Sequence, residues 1–378
     1  MLRVICAGHA IKEVLSAAES LFSMECGVRR AAPGTEPARF VVSDGGDGFL
    51  DAYHFACDGE IVTVPVTGPL GDSIQADFYY DSTSRRAIIE SARAIGLALV
   101  PPQNRDVLQS GTAGLADLLA SARQHGAREI IIGLGGSATS DGGIGLLWRL
   151  HHYAQSQPGA PAPTRTAADL ATAPAPDLAA IRRWLGDLQL IASTDVDNPL
   201  TGPHGAVRSF ARQKGATPQQ LPALESAVIR WADQIESRAG AALRDLPGAG
   251  AAGGLGFALL AIGARREPGA QTLCEWIGLP EAIQPGDIVM TTEGKFDETS
   301  LHGKAPWTVA QLACTRGARP VIFCGIADES AIATARQHDI DVCEFGRDLP
   351  AADRAALTPG RLVAAVEQYL TRHREATR

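Results

Sequence analysis

Gly-Leu-Gly-Gly-Ser-Ala-Thr-Ser-Asp-Gly-Gly-Ile-Gly occupies residues 133–145 and directly follows Glu-Ile-Ile-Ile at 129–132. This order predicts a buried strand that ends in a loop of glycines and short hydroxyl side chains. Glycines let backbone N–H groups approach a ligand closely, and Ser137, Thr139 and Ser140 add hydroxyl donors. The stretch therefore indicates an anion-binding loop, with phosphate as the expected ligand.

A second interpretation of this loop stays open, because a glycine-rich turn after a strand is often only a tight connection to the next helix. The loop matches neither the dinucleotide fingerprint nor the Walker A pattern, since no lysine follows the glycines at the required spacing. Asp141 is its one carboxylate. Positive charge for a phosphate must therefore come from elsewhere in the chain.

Composition places the chain among ordinary globular proteins. It has 378 residues, 45% of them hydrophobic and 20% charged, which is enough for two domains with substantial cores. The net charge is −8, from 34 basic and 42 acidic residues. No run of lysine or arginine suggests a nucleic-acid surface, so we expect no polyanionic partner.

Cysteine usage predicts a cytoplasmic protein. The seven cysteines are odd in number and form no Cys-x-x-Cys pair, which argues against a disulfide framework or a zinc ribbon. The N-terminal residues 2–6 read as a strand rather than as an apolar signal segment, and no stretch reaches the length of a membrane span. We therefore expect a soluble, unexported chain without a membrane partner.

Strand-like runs alternate with amphipathic stretches, which predicts an α/β fold. The runs that favour parallel strands are 4–6, 40–42, 129–132, 188–192, 287–290, 320–324 and 340–342. Alternating stretches at 61–66, 76–80 and 87–90 favour a partly antiparallel meander.

The predicted architecture has two domains. Residues 1–66 and 280–378 would form a Rossmann-like parallel domain from both chain ends, and residues 67–279 an inserted mixed-sheet α/β domain. Residues 155–178 are rich in Ala, Pro, Thr and Gln and predict a surface excursion. A cleft between the domains is the expected active site.

Further polar, glycine-rich segments follow or flank predicted strand ends, at 43–48, 194–203, 213–216 and 293–304. Ligands bind at the carboxyl ends of strands in open α/β sheets, so loops distant in sequence can converge there. Such residues suit phosphoryl transfer, which needs positioning and charge neutralisation. Asp195 and Asp197 would share one face of an extended segment and could serve metal and substrate.

Taken together, these segments resemble the bacterial glycerate kinase family of the first type. The resemblance rests on eight ordered blocks, at 12–17 (Lys-Glu-Val-Leu-Ser-Ala), 44–46, 66–71, 135–143, 195–203, 213–216, 247–256 and 301–306. It implies a two-domain α/β enzyme that uses ATP and Mg²⁺ to phosphorylate D-glycerate, with 2-phosphoglycerate as the favoured product. A homo-oligomer is compatible with the sequence, which does not specify one.

The resemblance also implies roles for individual residues. Asp197 leads as the group that orients or deprotonates the acceptor hydroxyl. The catalytic candidates are Asp197, Asp195 and Lys12; the substrate- or phosphate-binding candidates are Asp44, Gly135, Gly136, Ser137, Thr139, Asp141, Lys214, Glu293 and Lys304; the metal candidates are Asp195 and Asp297.

Each of these candidates has a structural alternative. Lys214 could be a solvated helix residue, whereas Lys304 follows Gly303 at a predicted helix start, where the helix dipole also favours an anion. Asp44 could cap a helix, and Asp297 could hold only its own loop through backbone N–H groups. His302 is expected to orient a loop rather than to transfer a proton.

The chain departs from the family pattern near its start. Family members usually read Pro-Asp-Ser-Phe-Lys-Glu, and this chain has Gly-His-Ala-Ile-Lys-Glu at 8–13. Thr292 and Lys295 replace a usual Gly and Arg, Ser140 replaces Asn, and 325–327 lack a serine. The changes favour altered affinity or specificity over an altered fold. Two alternatives follow: a kinase for another small hydroxy acid, or a non-catalytic anion-binding relative.

Overall fold

The computed structural model describes residues 2–11, 14–46, 48–155, 164–349 and 357–376. The strands in this part of the chain are β1 (Val4–Gly8), β2 (Ala38–Val41), β3 (Glu60–Thr67), β4 (Ser73–Asp81), β5 (Arg86–Glu90), β6 (Glu129–Gly133), β7 (Gln189–Ser193), β8 (Arg265–Glu267), β9 (Ile288–Phe296), β10 (Arg319–Ala327) and β11 (Asp341–Glu344).

The α-helices between and around these strands are α1 (Ala17–Ala31), α2 (Phe49–Ala56), α3 (Ala92–Ile95), α4 (Ala113–Gln124), α5 (Ile144–Gln155), α6 (Leu178–Leu185), α7 (Ala206–Phe210), α8 (Leu221–Ala239), α9 (Ala251–Ala261), α10 (Gly269–Trp276), α11 (Leu279–Ala282), α12 (Ala305–Thr315), α13 (Glu329–Gln337) and α14 (Pro359–Ala376). Among the described residues, every helix is too short or too polar to serve as a membrane span.

The chain divides into two compact units. The first unit comprises Met1–Asp44, Asp51–Cys57 and Pro268–Arg378, and the second comprises Gly45–Leu50 and Asp58–Glu267. Both ends of the chain thus lie in one unit, but its bounds differ from the predicted 66/67 and 279/280. The reason at the first boundary is that β3 pairs with β4 along its whole length, which assigns 58–66 to the second unit.

The first unit contains a fully parallel sheet in the order β11-β10-β9-β1-β2. All five residues of β1 are buried, as expected for a strand covered on both faces. This sheet confirms the predicted Rossmann-like parallel architecture built from both chain ends. The chain leaves β1 toward β2 on one side and leaves β9 toward β10 on the other.

Helix α1 packs against the C-terminal helix α14 in this unit. It begins with a capping box, in which Ser16 and Glu19 satisfy each other's backbone N–H groups. Gly27 lies on its buried face, where a Cβ atom would lie only 2.6 Å from Val366 Cβ. The close approach of the two helices therefore depends on the missing side chain at Gly27.

The second unit contains a mixed sheet in the order β3-β4-β5-β6-β7-β8. The β3–β4 and β4–β5 pairs are antiparallel and the remaining pairs are parallel, which confirms the predicted meander and mixed sheet. Ile130, Ile132 and Phe257 lie in its core. The short, polar strand β8 was not predicted, because Arg-Arg-Glu carries no hydrophobic pattern.

The predicted surface excursion at 155–178 is only partly described, since residues 156–163 lie outside the described residues. Its second half was placed wrongly on the surface. Leu170 is fully buried, and Ala167, Ala173 and Ala175 join the core of the second unit. Alanines scattered among prolines lack helical periodicity, yet their small apolar side chains still pack.

We expect Gly27→Leu to lower the free energy of unfolding by about 2–3 kcal/mol, because the new side chain would push α14 away from α1. Urea unfolding measures this change. Ala18→Leu places the same side chain on the exposed face of α1 and is the matched control, with a change below about 0.5 kcal/mol. Equal losses in both variants would refute the close packing at Gly27.

Candidate functional site

The glycine-hydroxyl loop runs from the end of β6 at Gly133 to the start of α5 at Ile144. The segment after α3 braces it through two backbone hydrogen bonds. Leu97 N–H donates to the Gly136 carbonyl at 2.7 Å, and Ala138 N–H donates to the Ile95 carbonyl at 2.8 Å. The loop is therefore a fixed part of the second unit.

Two glycines allow neighbouring backbone to approach this loop. A Cβ atom on Gly135 would lie 2.4 Å from Gly46 Cα, and one on Gly253 would lie 2.0 Å from the Thr139 carbonyl oxygen. Segments near residues 46 and 253 thus meet the loop, and the first of them belongs to the polar segments that were expected to converge. Part of the glycine content therefore serves backbone packing, which is the structural interpretation left open above.

Lys214 supplies the positive charge that the loop lacks. Only 4% of its surface is exposed, and its Nζ donates to Ser137 Oγ at 2.9 Å and to the Thr139 carbonyl at 2.6 Å. The alternative of a solvated Lys214 is wrong, because the turn after α7 directs the side chain into the loop. Burial lowers the pKa of this ammonium to about 7, and the charge of Asp141 opposes the shift.

Asp141 is a structural carboxylate. It is fully buried and accepts hydrogen bonds from Thr112 N–H, Thr112 Oγ1, Gly143 N–H and Gly145 N–H at 2.8–3.2 Å. Its predicted place in substrate or phosphate binding is corrected, since both oxygens are already hydrogen-bonded. Burial raises the pKa of Asp141, although these hydrogen bonds counteract part of the shift.

Three buried hydroxyls near the loop have no hydrogen-bond partner among the described residues. They are Thr139 Oγ1, Ser140 Oγ and Ser193 Oγ. Ser193 ends β7 and pairs in register with Gly133 at the end of β6. Buried polar groups are nearly always satisfied, so these hydroxyls, together with Lys214, fit an anionic ligand.

Asp197 lies in the irregular segment after β7 and has an unpredicted partner. Its side chain is 75% exposed and forms an ion pair with Arg266 of β8 at 2.5 Å. Arg266 also donates to the Thr194 carbonyl at 3.3 Å. Asp195 is half-buried in the same segment. No sequence signal marked Arg266, because it lies in the polar strand that the pattern could not reveal.

In the first unit, Glu293 and Asp44 lie near the carboxyl ends of parallel strands. Glu293 lies in β9 with only 7% of its surface exposed. Its Oε1 accepts a hydrogen bond from Gly294 N–H at 2.8 Å. Glu293 Oε2 has no partner among the described residues. Asp44 follows β2 and is half-buried. Glu293 thus offers one carboxylate oxygen to a ligand.

Asp297 and Lys304 lie in the loop between β9 and α12. Asp297 accepts from Thr299 N–H at 3.0 Å, and Lys295 Nζ lies 3.3 Å from its other oxygen. Burial opposes ionisation, but these contacts outweigh it and lower the pKa of Asp297. Asp297 therefore stabilises its own loop. This is the structural alternative to its predicted role as a metal ligand. Lys304 precedes α12 as predicted and donates to Ser300 Oγ at 3.2 Å.

Two of the departures from the family pattern contact each other. Thr292 Oγ1 accepts from His9 N–H at 3.0 Å and donates to the His9 carbonyl at 2.7 Å. The threonine side chain thus anchors the backbone that carries the histidine. The predicted catalytic residue Lys12 lies outside the described residues.

Comparison with known proteins identifies the family of this chain. The model of the Glycerate kinase family matches residues 4–372. The chain belongs to this family. A glycerate kinase from Bacillus subtilis (strain 168) is 37% identical over 347 residues, covering 90% of this chain and 89% of the relative.

Two further comparisons extend the family assignment. The glycerate 2-kinase of Escherichia coli (strain K12) is 35% identical over 346 residues, covering 90% of this chain and 89% of the relative. A crystal structure of "putative glycerate kinase 2" from Salmonella typhimurium LT2 has a TM-score of 0.79 at 30% identity, covering 100% of this chain and 99% of that one. The observed α/β architecture is therefore that of a glycerate kinase.

Several of the predicted site residues lie close together in the second unit. The structure brings together Ser137, Thr139 and Lys214 in the second unit, and it pairs Asp197 with Arg266 there. No group of three or more His, Cys, Asp or Glu side chains within the described ranges could hold a metal ion.

The buried ammonium of Lys214 predicts a pH-dependent stability. Between about pH 7 and 10.5 the unfolded chain holds a proton that the native chain lacks, so the free energy of unfolding rises with pH. The slope for one proton is about 1.4 kcal/mol per pH unit at most. Urea unfolding between pH 7.5 and 9.5 should show this slope and its loss in Lys214→Met.

Arg212→Met is the matched control for this measurement. Arg212 is exposed in the same turn as Lys214, and arginine stays protonated throughout this pH range. We expect this variant to keep the wild-type slope. An unchanged slope in Lys214→Met would show that Lys214 titrates in the native state as it does in the unfolded chain.

We expect Asp141→Asn to destabilise the protein by about 2–3 kcal/mol, because an amide donor would then face backbone N–H groups. Urea unfolding gives the value. Asp81→Asn is the control, since Asp81 also accepts from a backbone N–H and a hydroxyl but in an exposed turn, and it should lose less than about 1 kcal/mol. Similar losses at the two positions would contradict the structural role of Asp141.

Proposed function

We propose that this protein transfers the γ-phosphoryl group of ATP to D-glycerate, with 2-phosphoglycerate as the product. The observation that carries the proposal is the insertion of Lys214 between Ser137 Oγ and the Thr139 carbonyl in the glycine-hydroxyl loop. Membership of the family supports the substrate class. The name of the Escherichia coli relative, glycerate 2-kinase, supports the position of phosphorylation.

The loop would bind phosphate through charge and hydroxyl donors. Burial lowers the pKa of Lys214 to about 7, and an adjacent phosphate favours its protonated form. The hydroxyls of Thr139, Ser140 and Ser193 have no partner among the described residues and can donate to phosphate oxygens. Charge neutralisation of this kind is the main requirement of phosphoryl transfer. In the first unit, we propose that Lys304, at the N-terminus of the 11-residue helix α12, binds phosphate.

Asp197 is the group that we assign to the acceptor hydroxyl. The glycerate oxygen attacks the γ-phosphorus, the bond from that phosphorus to the ADP oxygen breaks, and the hydroxyl proton passes to the Asp197 carboxylate. Arg266 positions this carboxylate through the ion pair at 2.5 Å. Because Asp197 is exposed, a substrate can reach it without rearrangement of the core.

Magnesium would be held chiefly by Asp195 together with the phosphates of ATP. Mg²⁺ usually takes only one or two protein carboxylates and keeps several waters, so a large cluster is not required. Asp195 is half-buried and has the hard oxygen donors that suit this ion. The oxygens of Asp297 contact Thr299 and Lys295, which argues against the predicted metal role of Asp297. When bound, the ion supplies neutralisation of the phosphate charge.

Other parts of the proposal come from the sequence alone. Lys12 remains a proposed catalytic cation and Asp44 a proposed substrate contact. Assignment to the first type within the family and a cytoplasmic location also remain predictions.

The test of this function is a kinase assay with ATP, Mg²⁺ and millimolar D-glycerate, with the product identified by phosphorus NMR. Formation of 2-phosphoglycerate supports the proposal. A panel of other small hydroxy acids tests the second candidate, which the altered 8–11 segment favours. No turnover of any hydroxy acid, with retained binding of ATP or phosphate, would instead indicate a non-catalytic anion-binding relative.

Asp197→Asn should lower kcat by about 10²–10⁴-fold, because the amide can neither accept the proton nor pair with Arg266 as a charge. Steady-state kinetics at saturating substrates measures the loss. Asp187→Asn changes an exposed carboxylate in the same unit and should keep the wild-type kcat. A wild-type kcat in Asp197→Asn would remove this residue from the reaction.

A further inference from the structure

The parallel sheet of the first unit has a topological switch point between β1 and β9. The chain passes from β1 through α1 to β2 on one side and from β9 through α12 to β10 on the other. Ligands of open parallel sheets bind outside the carboxyl ends of the strands at such a point. His9 follows β1 directly, and Glu293 lies beside it in β9.

Strand register and one side chain place these two residues together. The pairing of β1 with β9 ends at Ala7 opposite Thr291, and continuing this register by two residues brings His9 opposite Glu293. Thr292 is fully buried, and its hydroxyl bonds both the N–H and the carbonyl of His9, at 3.0 and 2.7 Å. By accepting one hydrogen bond and donating another, this hydroxyl fixes the position of the His9 backbone.

Both side chains keep an unpartnered polar atom in a buried place. Only 7% of the surface of His9 and 7% of the surface of Glu293 is exposed. Among the described residues, neither His9 Nδ1 nor Glu293 Oε2 has a hydrogen-bond partner, and the two atoms do not bond each other. Unsatisfied buried groups are rare in folded proteins and often mark a ligand that completes them.

The chemistry of the two atoms defines the ligand that fits them. A carboxylate oxygen only accepts, so Glu293 Oε2 requires a donor such as a hydroxyl. In the tautomer that carries its proton on Nδ1, the imidazole donates to an oxygen. A molecule with a hydroxyl next to a second oxygen satisfies both atoms at once, as a hydroxy acid or a ribose does.

We propose that His9 and Glu293 form a hydroxyl-binding pair at the β1–β9 switch point. Glu293 Oε2 accepts a hydrogen bond from a ligand hydroxyl, and His9 Nδ1–H donates to a neighbouring ligand oxygen. Thr292 is the positioning residue for His9. The choice of ligand rests on the proposed function, in which D-glycerate and the ribose of ATP both carry this pair of groups.

The experiment compares Glu293→Gln and His9→Leu with wild type by measuring KM for D-glycerate and for ATP separately. If the pair binds the hydroxy acid, KM for glycerate rises at least 10-fold and KM for ATP stays constant. If it binds the ribose, KM for ATP rises and the variants no longer distinguish ATP from its deoxyribose analogues. Unchanged values of both KM in both variants overturn the proposal.

Thr291→Val is the matched control. Thr291 Oγ1 is also buried and has no partner among the described residues, but it lies two residues before Glu293 in β9, further from the carboxyl end of the strand. Its removal should leave both KM values unchanged.

Thr292→Val should raise the same KM as His9→Leu does, whereas Thr292→Ser should restore it because the hydroxyl is retained. Failure of serine to restore KM removes the positioning role of Thr292.

Two further measurements keep this test independent of folding and of the proposed function. His9→Asn retains a side-chain N–H donor and should bind more tightly than His9→Leu; equal weakening, with the same thermal unfolding midpoint, contradicts the donor role. If wild type shows no turnover, the proposed function fails, and calorimetric titration of D-glycerate and ATP still tests the pair. Weaker binding of either to Glu293→Gln supports it, and equal binding of both overturns it.

Discussion

The burial of one ammonium group is the constraint on which the glycine-hydroxyl loop depends. Lys214 lies inside the loop and donates to Ser137 and Thr139. A charge in this place requires oxygens around it, because transfer from water is costly without them. The loop supplies one hydroxyl and one carbonyl, and Asp141 adds a negative charge nearby. Burial lowers the pKa of Lys214 to about 7 in spite of the Asp141 charge.

The glycine-rich loop serves packing and chemistry together. Gly135 and Gly253 are required because neighbouring backbone lies where a Cβ atom would be. The buried carboxylate of Asp141 fixes the loop from inside through N–H groups and a hydroxyl. With the backbone fixed in this way, Thr139 Oγ1 has no partner among the described residues. The contacts support the packing interpretation of the loop, and anion binding by the same loop stays a proposal.

In the first unit, a side-chain hydroxyl likewise fixes the backbone of a neighbouring segment. Thr292 and His9 both depart from the usual family pattern, and in the structure the hydroxyl of one anchors the backbone of the other. A threonine hydroxyl here provides a donor and an acceptor at once, which a glycine could not. Lys295, another departure, pairs with Asp297 and Asp328. These contacts explain how the changed residues remain compatible with the fold.

The sequence by itself determined the α/β class, the parallel and mixed sheets, the family and the position of the glycine-hydroxyl loop, because periodicity and glycine spacing act locally. It also indicated most candidate site residues, since each follows a predicted strand end. Tertiary structure alone decided the burial of Lys214, the pairing of Asp197 with Arg266 and the internal role of Asp141. The physical reason is that charge pairing and desolvation depend on which distant segments meet, and spacing along a chain does not encode that distance.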